Sequence, residues 1–114
     1  MENKFIVGVP DSKLKFWLKD KRYLIATDEG EAVAIGAGYY LATNKKASVF
    51  MGANGFANAL DTITSLLVPY KIPIDLIIAL REDVEWHSIM SKLVEPINSL
   101  INYDKRTSIT YIVG

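Results

Sequence analysis

Apolar positions along the chain fall into two alternating kinds, short β-branched runs and longer stretches with helical spacing. Phe5 to Val9 reads as a buried strand. Ser12 to about Lys19 reads as a short helix with Leu14, Phe16, Trp17 and Leu18 on its apolar face. A second strand, Tyr23 to Ala26, precedes a helix over Glu29 to about Ala42, and the polar break Thr43-Asn44-Lys45-Lys46 leads into a third strand, Ala47 to Met51. The pattern then repeats: Asn58 to Leu67 helical, Ile74 to Leu80 a strand, about Ser88 to Ile101 helical, and Ser108 to Val113 a last strand. Such alternation is the signature of βαβ units. The run Asp75-Leu76-Ile77-Ile78-Ala79-Leu80 is nearly continuous in apolar residues, as a strand buried on both faces of a parallel sheet must be. The expected fold is one α/β domain over residues 1–114, a doubly wound, mainly parallel sheet with helices on both faces.

In such sheets ligands collect beyond the carboxyl ends of the strands, where loops converge and helix N-termini point outward. Four loops are assigned to that edge: Gly8 to Ser12, Thr27 to Glu31, Gly52 to Asn58, and Arg81 to His87. In the second, Asp28 and Glu31 have the spacing of a capping box, in which Asp28 bonds first-turn amides and Glu31 reaches back. Glu29 is not needed for that box, so its carboxylate is a candidate for chemistry as well as an ordinary helix-start acid. The helix it opens carries Gly36 and Gly38 in its interior, each costing roughly 1 kcal/mol relative to alanine. They fit either tight packing on the domain's own sheet or a subunit interface. The third loop holds two glycines and two asparagines but neither G-x-G-x-x-G nor a P-loop ending, so a ligand-facing turn and a plain connection both explain it. His87 is the only histidine, which excludes a His-based metal cluster or a His-paired nucleophile set from this chain alone. Beside Trp86 and after Arg81 it is a candidate proton carrier or a plain surface residue.

Composition narrows the function classes. Thirteen Lys and Arg balance thirteen Asp and Glu, so nothing favours a broad electrostatic grip on nucleic acid or an anionic membrane. The absence of cysteine removes disulfides, thiolate chemistry and sulfur-ligated zinc. Met1 to Lys4 runs into a short apolar stretch that reaches Pro10, without the pattern of a signal peptide, and no apolar run approaches the roughly 20 residues of a membrane span. A cytoplasmic, non-membrane protein is the expectation.

The stretch Ala26-Thr27-Asp28-Glu29-Gly30-Glu31-Ala32-Val33-Ala34-Ile35-Gly36-Ala37-Gly38-Tyr39-Tyr40-Leu41-Ala42, together with Gly8-Val9-Pro10-Asp11-Ser12, resembles the pyrimidine-binding domain of the phosphonopyruvate and sulfopyruvate decarboxylases, which are thiamine-diphosphate enzymes. The likeness continues through Asn58, Ser65-Leu66, Tyr70, Ile72-Pro73, Arg81 and His87, over roughly residues 5 to 90. It implies that Glu29 contacts the aminopyrimidine ring of thiamine diphosphate and activates the cofactor, with Gly55 and Asn58 lining the pyrimidine pocket. Asp11, Ser12 and Arg81 are the implied substrate-binding residues, and His87 an implied proton carrier. The implied reaction is non-oxidative decarboxylation of a short 2-oxo acid with an anionic tail, 3-phosphonopyruvate or 3-sulfopyruvate, to carbon dioxide and an aldehyde.

The sequence also departs from that family. Its third loop reads Gly52-Ala53-Asn54-Gly55-Phe56-Ala57-Asn58 where the family has Gln-Asn-Ser-Gly-Leu-Gly-Asn, so only Gly55 and Asn58 are kept. The connection from Arg81 to Trp86-His87 is short, and the helix that usually precedes the first strand is missing or reduced. There is no Gly-Asp-Gly followed by Asn, the motif expected for magnesium and diphosphate. The resemblance therefore implies a separate diphosphate-binding subunit carrying Mg2+, a hetero-oligomer of 2:2 type, and a chain inactive alone. A carboligase subunit and a non-catalytic assembly or regulatory module of the same fold are the rival expectations.

Overall fold

The computed structural model describes residues 4–82 and 85–113, except for the side chains of residues 85–87. In chain order the elements are β1 (Ile6–Gly8), α1 (Lys15–Leu18), β2 (Leu24–Ile25), α2 (Glu29–Thr43), β3 (Ser48–Gly52), α3 (Phe56–Thr62), β4 (Asp75–Leu80), α4 (Glu85–Ile101) and β5 (Ser108–Val113). The strands form one all-parallel sheet in the order β2-β1-β3-β4-β5.

The chain moves from β1 outward to β2, then returns to add β3, β4 and β5 on the other side of β1. Because such crossovers are right-handed, this reversal puts α1 on one face of the sheet and α2, α3 and α4 on the other. The side chains sort accordingly. Val7, Val49, Met51, Leu76 and Ile78 pack with Ala32, Val33, Phe56, Ile63 and Val94 of the long helices. Ile6, Phe50, Ile77 and Ala79, from alternate positions of the same strands, pack with Leu14 and Leu18. The doubly wound α/β fold expected from the sequence is present, but the two faces are covered unequally.

Local differences from the sequence reading have physical causes. The first helix is a 3-10 turn over Ser12–Leu14 followed by only four α-helical residues, and Phe16, expected on its apolar face, is 85 % exposed. Four residues make barely one turn, so Leu14 and Leu18, one turn apart, are buried on the sheet with Trp17 packed beside them, and Phe16 on the opposite side is left in water. β2 shrinks to two exposed residues because it is an edge strand with a neighbour on one side only. Beyond Thr62, α3 widens into a π-type turn over Ile63–Leu67, closed by the amide of Val68 donating to Ile63 O at 3.0 Å.

At the amino edge of the sheet Asp75 is buried as the first residue of β4. Its Oδ1 accepts from Ser108 Oγ at 2.6 Å and faces Lys46 Nζ at 3.1 Å, while Oδ2 accepts from Lys4 Nζ at 3.1 Å. Burial pushes its pKa up, but the bonds from Ser108, Lys46 and Lys4 together outweigh it and hold the carboxyl below its ordinary value. A depressed folded-state pKa stabilises the protein above the unfolded-state value, and that contribution is lost as pH falls through the folded-state value. Asp75→Asn is therefore expected to cost about 1 to 2 kcal/mol at neutral pH and to flatten the fall in stability below about pH 4. Urea unfolding at several pH values checks this; an unchanged acid limb would remove Asp75 from the account.

Candidate functional site

The strand order reverses between β1 and β3, and crevices in open α/β sheets form at that switch point, beyond the carboxyl ends. The loops after these two strands, 8–12 and 52–58, meet there, and β4 adds Arg81. Two clusters result, one on each side of the tight turn Ala53–Gly55.

The first is built on the start of α2. Asp28 is the N-cap, its Oδ1 accepting from the Glu31 amide at 2.8 Å. Glu31 Oε1 accepts from the amide of Thr27 at 2.7 Å, one residue further back than a standard capping box reaches. Helix termination is thus complete without Glu29. The Glu29 carboxylate turns instead toward α3, where its Oε1 accepts from Asn58 Nδ2 at 3.1 Å. Its other oxygen rests directly on Gly55: a Cβ built on Gly55 would overlap Oε2. Gly30 permits this meeting of helices, since a Cβ there would stand 2.9 Å from Asn58 O and 3.5 Å from Thr62 Oγ1. Thr62 Oγ1 closes the crossing by donating to Gly30 O at 3.3 Å. Asn58 is exposed and Glu29 half-buried, so the cluster opens at the surface.

The second cluster joins β1 to β4. Asp11 caps the 3-10 turn by accepting from the Lys13 amide at 3.0 Å, and Arg81 Nη2 donates to Asp11 Oδ1 at 3.2 Å and Oδ2 at 3.3 Å. The same nitrogen lies 3.4 Å from Ser12 Oγ. The Arg81 amide donates to Ser91 Oγ at 2.8 Å, fixing the end of β4 against α4. A Cβ on Gly52 would overlap Asp11 Oδ2, so this glycine keeps open the space that the carboxylate occupies. Beside the cluster lies a cleft of about 620 Å³, bordered by Asp11, Ser12, Lys15, Phe16, Lys19 and Tyr23.

The structure thus brings Glu29, Gly55 and Asn58 together, and separately Asp11, Ser12 and Arg81. His87 lies in the first turn of α4 and its side chain falls outside the described residues. Sequence reasoning missed Gly30, Thr62, Gly52 and Ser91. The glycines carried a signal in their positions beside acids and at a strand end, whereas Thr62 and Ser91 had none, because hydroxyls at those spacings are ordinary helix surface.

Comparison with known proteins bears on what these clusters serve. No protein-family profile matches the chain. Over 87 residues it is 41 % identical to sulfopyruvate decarboxylase subunit alpha of Methanocaldococcus jannaschii and 34 % identical to that of Methanococcus maripaludis, in each case over 71 % of this chain. It is 31 % identical over 88 residues, 73 % of the chain, to phosphonopyruvate decarboxylase of Streptomyces viridochromogenes. This chain is a homologue of the sulfopyruvate and phosphonopyruvate decarboxylases. It spans 51 % and 52 % of the two subunit-alpha relatives and 22 % of the phosphonopyruvate decarboxylase, about half or less of the curated relatives it matches. The fold agrees: a chain from Mycobacterium smegmatis assigned as a thiamin diphosphate-dependent enzyme superposes with a TM-score of 0.63 at 23 % identity, over 71 % of this chain and 16 % of its own. Among the described residues no helix is long and apolar enough to cross a membrane.

Proposed function

We propose that this decarboxylase homologue is the pyrimidine-binding subunit of a thiamine-diphosphate-dependent 2-oxo-acid decarboxylase, with Glu29 as the acid that addresses the cofactor. The observation that carries the reading is the Glu29 carboxylate, seated on Gly55, bonded by Asn58 and relieved of capping duty. The residues fit the group they would hold. A flat ring needs a carboxylate at its edge, and the missing side chain of Gly55 is what lets the Glu29 carboxylate take that place at the carboxyl edge of the sheet. Asn58 Nδ2 fixes the rotation of the carboxylate through Oε1. When bound, thiamine diphosphate supplies the carbon nucleophile and the electron sink for loss of carbon dioxide. The chain's own part is to orient the ring and to hold a proton on the Glu29 carboxylate.

Two features support a partner subunit. The Glu29 cluster opens at the surface instead of into an enclosed cavity, so a second polypeptide is needed to exclude water from the chemistry. The Methanocaldococcus and Methanococcus relatives are both named as a subunit alpha. In the proposed assembly, a 2:2 hetero-oligomer, the partner binds the diphosphate and its Mg2+, Asp11, Ser12 and Arg81 handle a 2-oxo acid of the 3-sulfopyruvate or 3-phosphonopyruvate type, and His87 carries a proton. The product is an aldehyde.

Recovery of the tagged chain from its native host under mild conditions, with mass spectrometry of bound protein and small molecule, tests the proposal. A second subunit bearing Gly-Asp-Gly and a later Asn, together with thiamine diphosphate, is the expected outcome. Chain recovered only with itself and without cofactor would overturn the catalytic reading.

A further inference from the structure

The Asp11–Arg81 pair is asymmetric. Both oxygens of Asp11, and Ser12 Oγ, are reached by one nitrogen, Nη2, and no described residue bonds Nε or Nη1 of Arg81. The Arg81 side chain keeps 21 % exposure against 9 % for Asp11. A guanidinium is a rigid fork of donors with no acceptor, so a grip on one nitrogen orients the rest without using them. Asp11 is in turn held by the Lys13 amide and by the room left at Gly52. The glycine that replaces the polar residue expected from the resemblance is thus the space into which Asp11 fits.

We propose that the free donors of Arg81 receive the anionic tail of the substrate, and that Asp11 is a positioning and specificity-determining residue that restricts the tail to a single negative charge, a sulfonate over a phosphonate. The pair is neutral as a whole. Stripping water from an anion costs energy in proportion to the square of its charge, whereas attraction to Arg81 grows only linearly and is reduced by the carboxylate behind it. A monoanion is therefore accepted and a dianion disfavoured, by about tenfold. Arg81 itself lines a cleft against α4 that also holds Lys92, Glu82 and Glu95, while Lys15 and Lys19 border the cleft beside Asp11; Lys92, Lys15 and Lys19 are the competing cations.

The description of the anion as a substrate tail rests on the function proposed above. Its test uses neither cofactor nor partner, so the two readings fail separately. The intact chain is titrated with ethanesulfonate and with ethylphosphonate, at a pH where the phosphonate is a dianion, while the Arg81 Nε–H resonance is followed by NMR. Ethanesulfonate should shift that resonance at about tenfold lower concentration than ethylphosphonate, and Arg81→Gln should abolish sulfonate binding. Asp11→Asn, which keeps the shape and removes the charge, should erase or invert the preference. Should that variant fail to fold, the wild-type ratio decides. Equal or tighter binding of the phosphonate by the wild-type chain, no binding of either anion, or binding that survives Arg81→Gln and is lost in Lys92→Gln or Lys15→Gln would overturn the proposal.

Discussion

Glu29→Gln is expected to leave the chain folded and, in the proposed assembly, to lower decarboxylase turnover by about 10²- to 10⁴-fold, the range for loss of a positioned proton-transfer group. The fold survives because α2 is capped by Asp28 and Glu31, which bond the Glu31 and Thr27 amides independently of residue 29. Glutamine keeps the length of the side chain and can still accept from Asn58 Nδ2. What disappears is the negative charge and the ability to hold a proton, plus a charge–dipole contribution of about 0.3 to 1 kcal/mol at the helix start. Asp28→Ala should do the reverse, costing about 1 kcal/mol of stability through the lost cap while leaving the carboxylate of Glu29 in place. The pair is measured by thermal unfolding of the chain and by decarboxylation of the proposed substrate, 3-sulfopyruvate, with the proposed partner present. Near-normal turnover of Glu29→Gln would refute the role assigned to Glu29.

Gly8→Ala is expected to destabilise the fold by about 3 kcal/mol, in the upper range for overpacking a core. Gly8 pairs with Phe50 across β1 and β3, and a Cβ there would overlap both the carbonyl oxygen and the ring of Phe50. Neither can withdraw easily. The carbonyl accepts from the Val9 amide at 3.2 Å, and the fully buried ring is held by Tyr23, edge-on at 5.4 Å between centroids, and by Trp17 at 6.2 Å. Because Gly8 leads into the loop that carries Asp11, the same change should also disturb the Asp11–Arg81 pair. Gly38→Ala provides the contrast, since nothing lies within 4 Å of a Cβ at that position and helical alanine is favoured over glycine by roughly 1 kcal/mol. Urea unfolding should show the first variant weakened and the second strengthened. Comparable stability of Gly8→Ala and the parent would mean that β1 and β3 can separate without loss.

The two helical glycines also answer a question that the sequence left open. Gly36 packs on the chain's own sheet, where a Cβ would lie 2.8 Å from Val49 Cγ2 and 3.4 Å from Ala47 Cβ. Gly38 does not, and the exposed surface around it, including Leu41 at 68 % exposure, is open to another polypeptide. Periodicity puts the two about 200° apart, on opposite faces of the helix, but could not say which face meets the sheet, because small residues flank both.

The alternation of β-branched runs with helical stretches determined the α/β class with a mainly parallel sheet, since a strand that must be covered on both faces cannot also alternate polar and apolar residues. Asp28 and Glu31 at capping distance determined where α2 begins, and with it that Glu29 was the acid left over. These are local or periodic signals that act within a few residues of chain. The sequence could not show that Asn58 reaches Glu29 across 29 positions, that Asp11 grips Arg81 across 70, or that Gly52 and Gly55 leave room for one carboxylate each. Nor could it show that Phe16 stays in water while Leu14 and Leu18 take the sheet. Only the tertiary structure decided those, because they depend on which strands lie side by side at the switch point and on how closely two helix ends can approach, and neither is encoded in the spacing of residues along the chain.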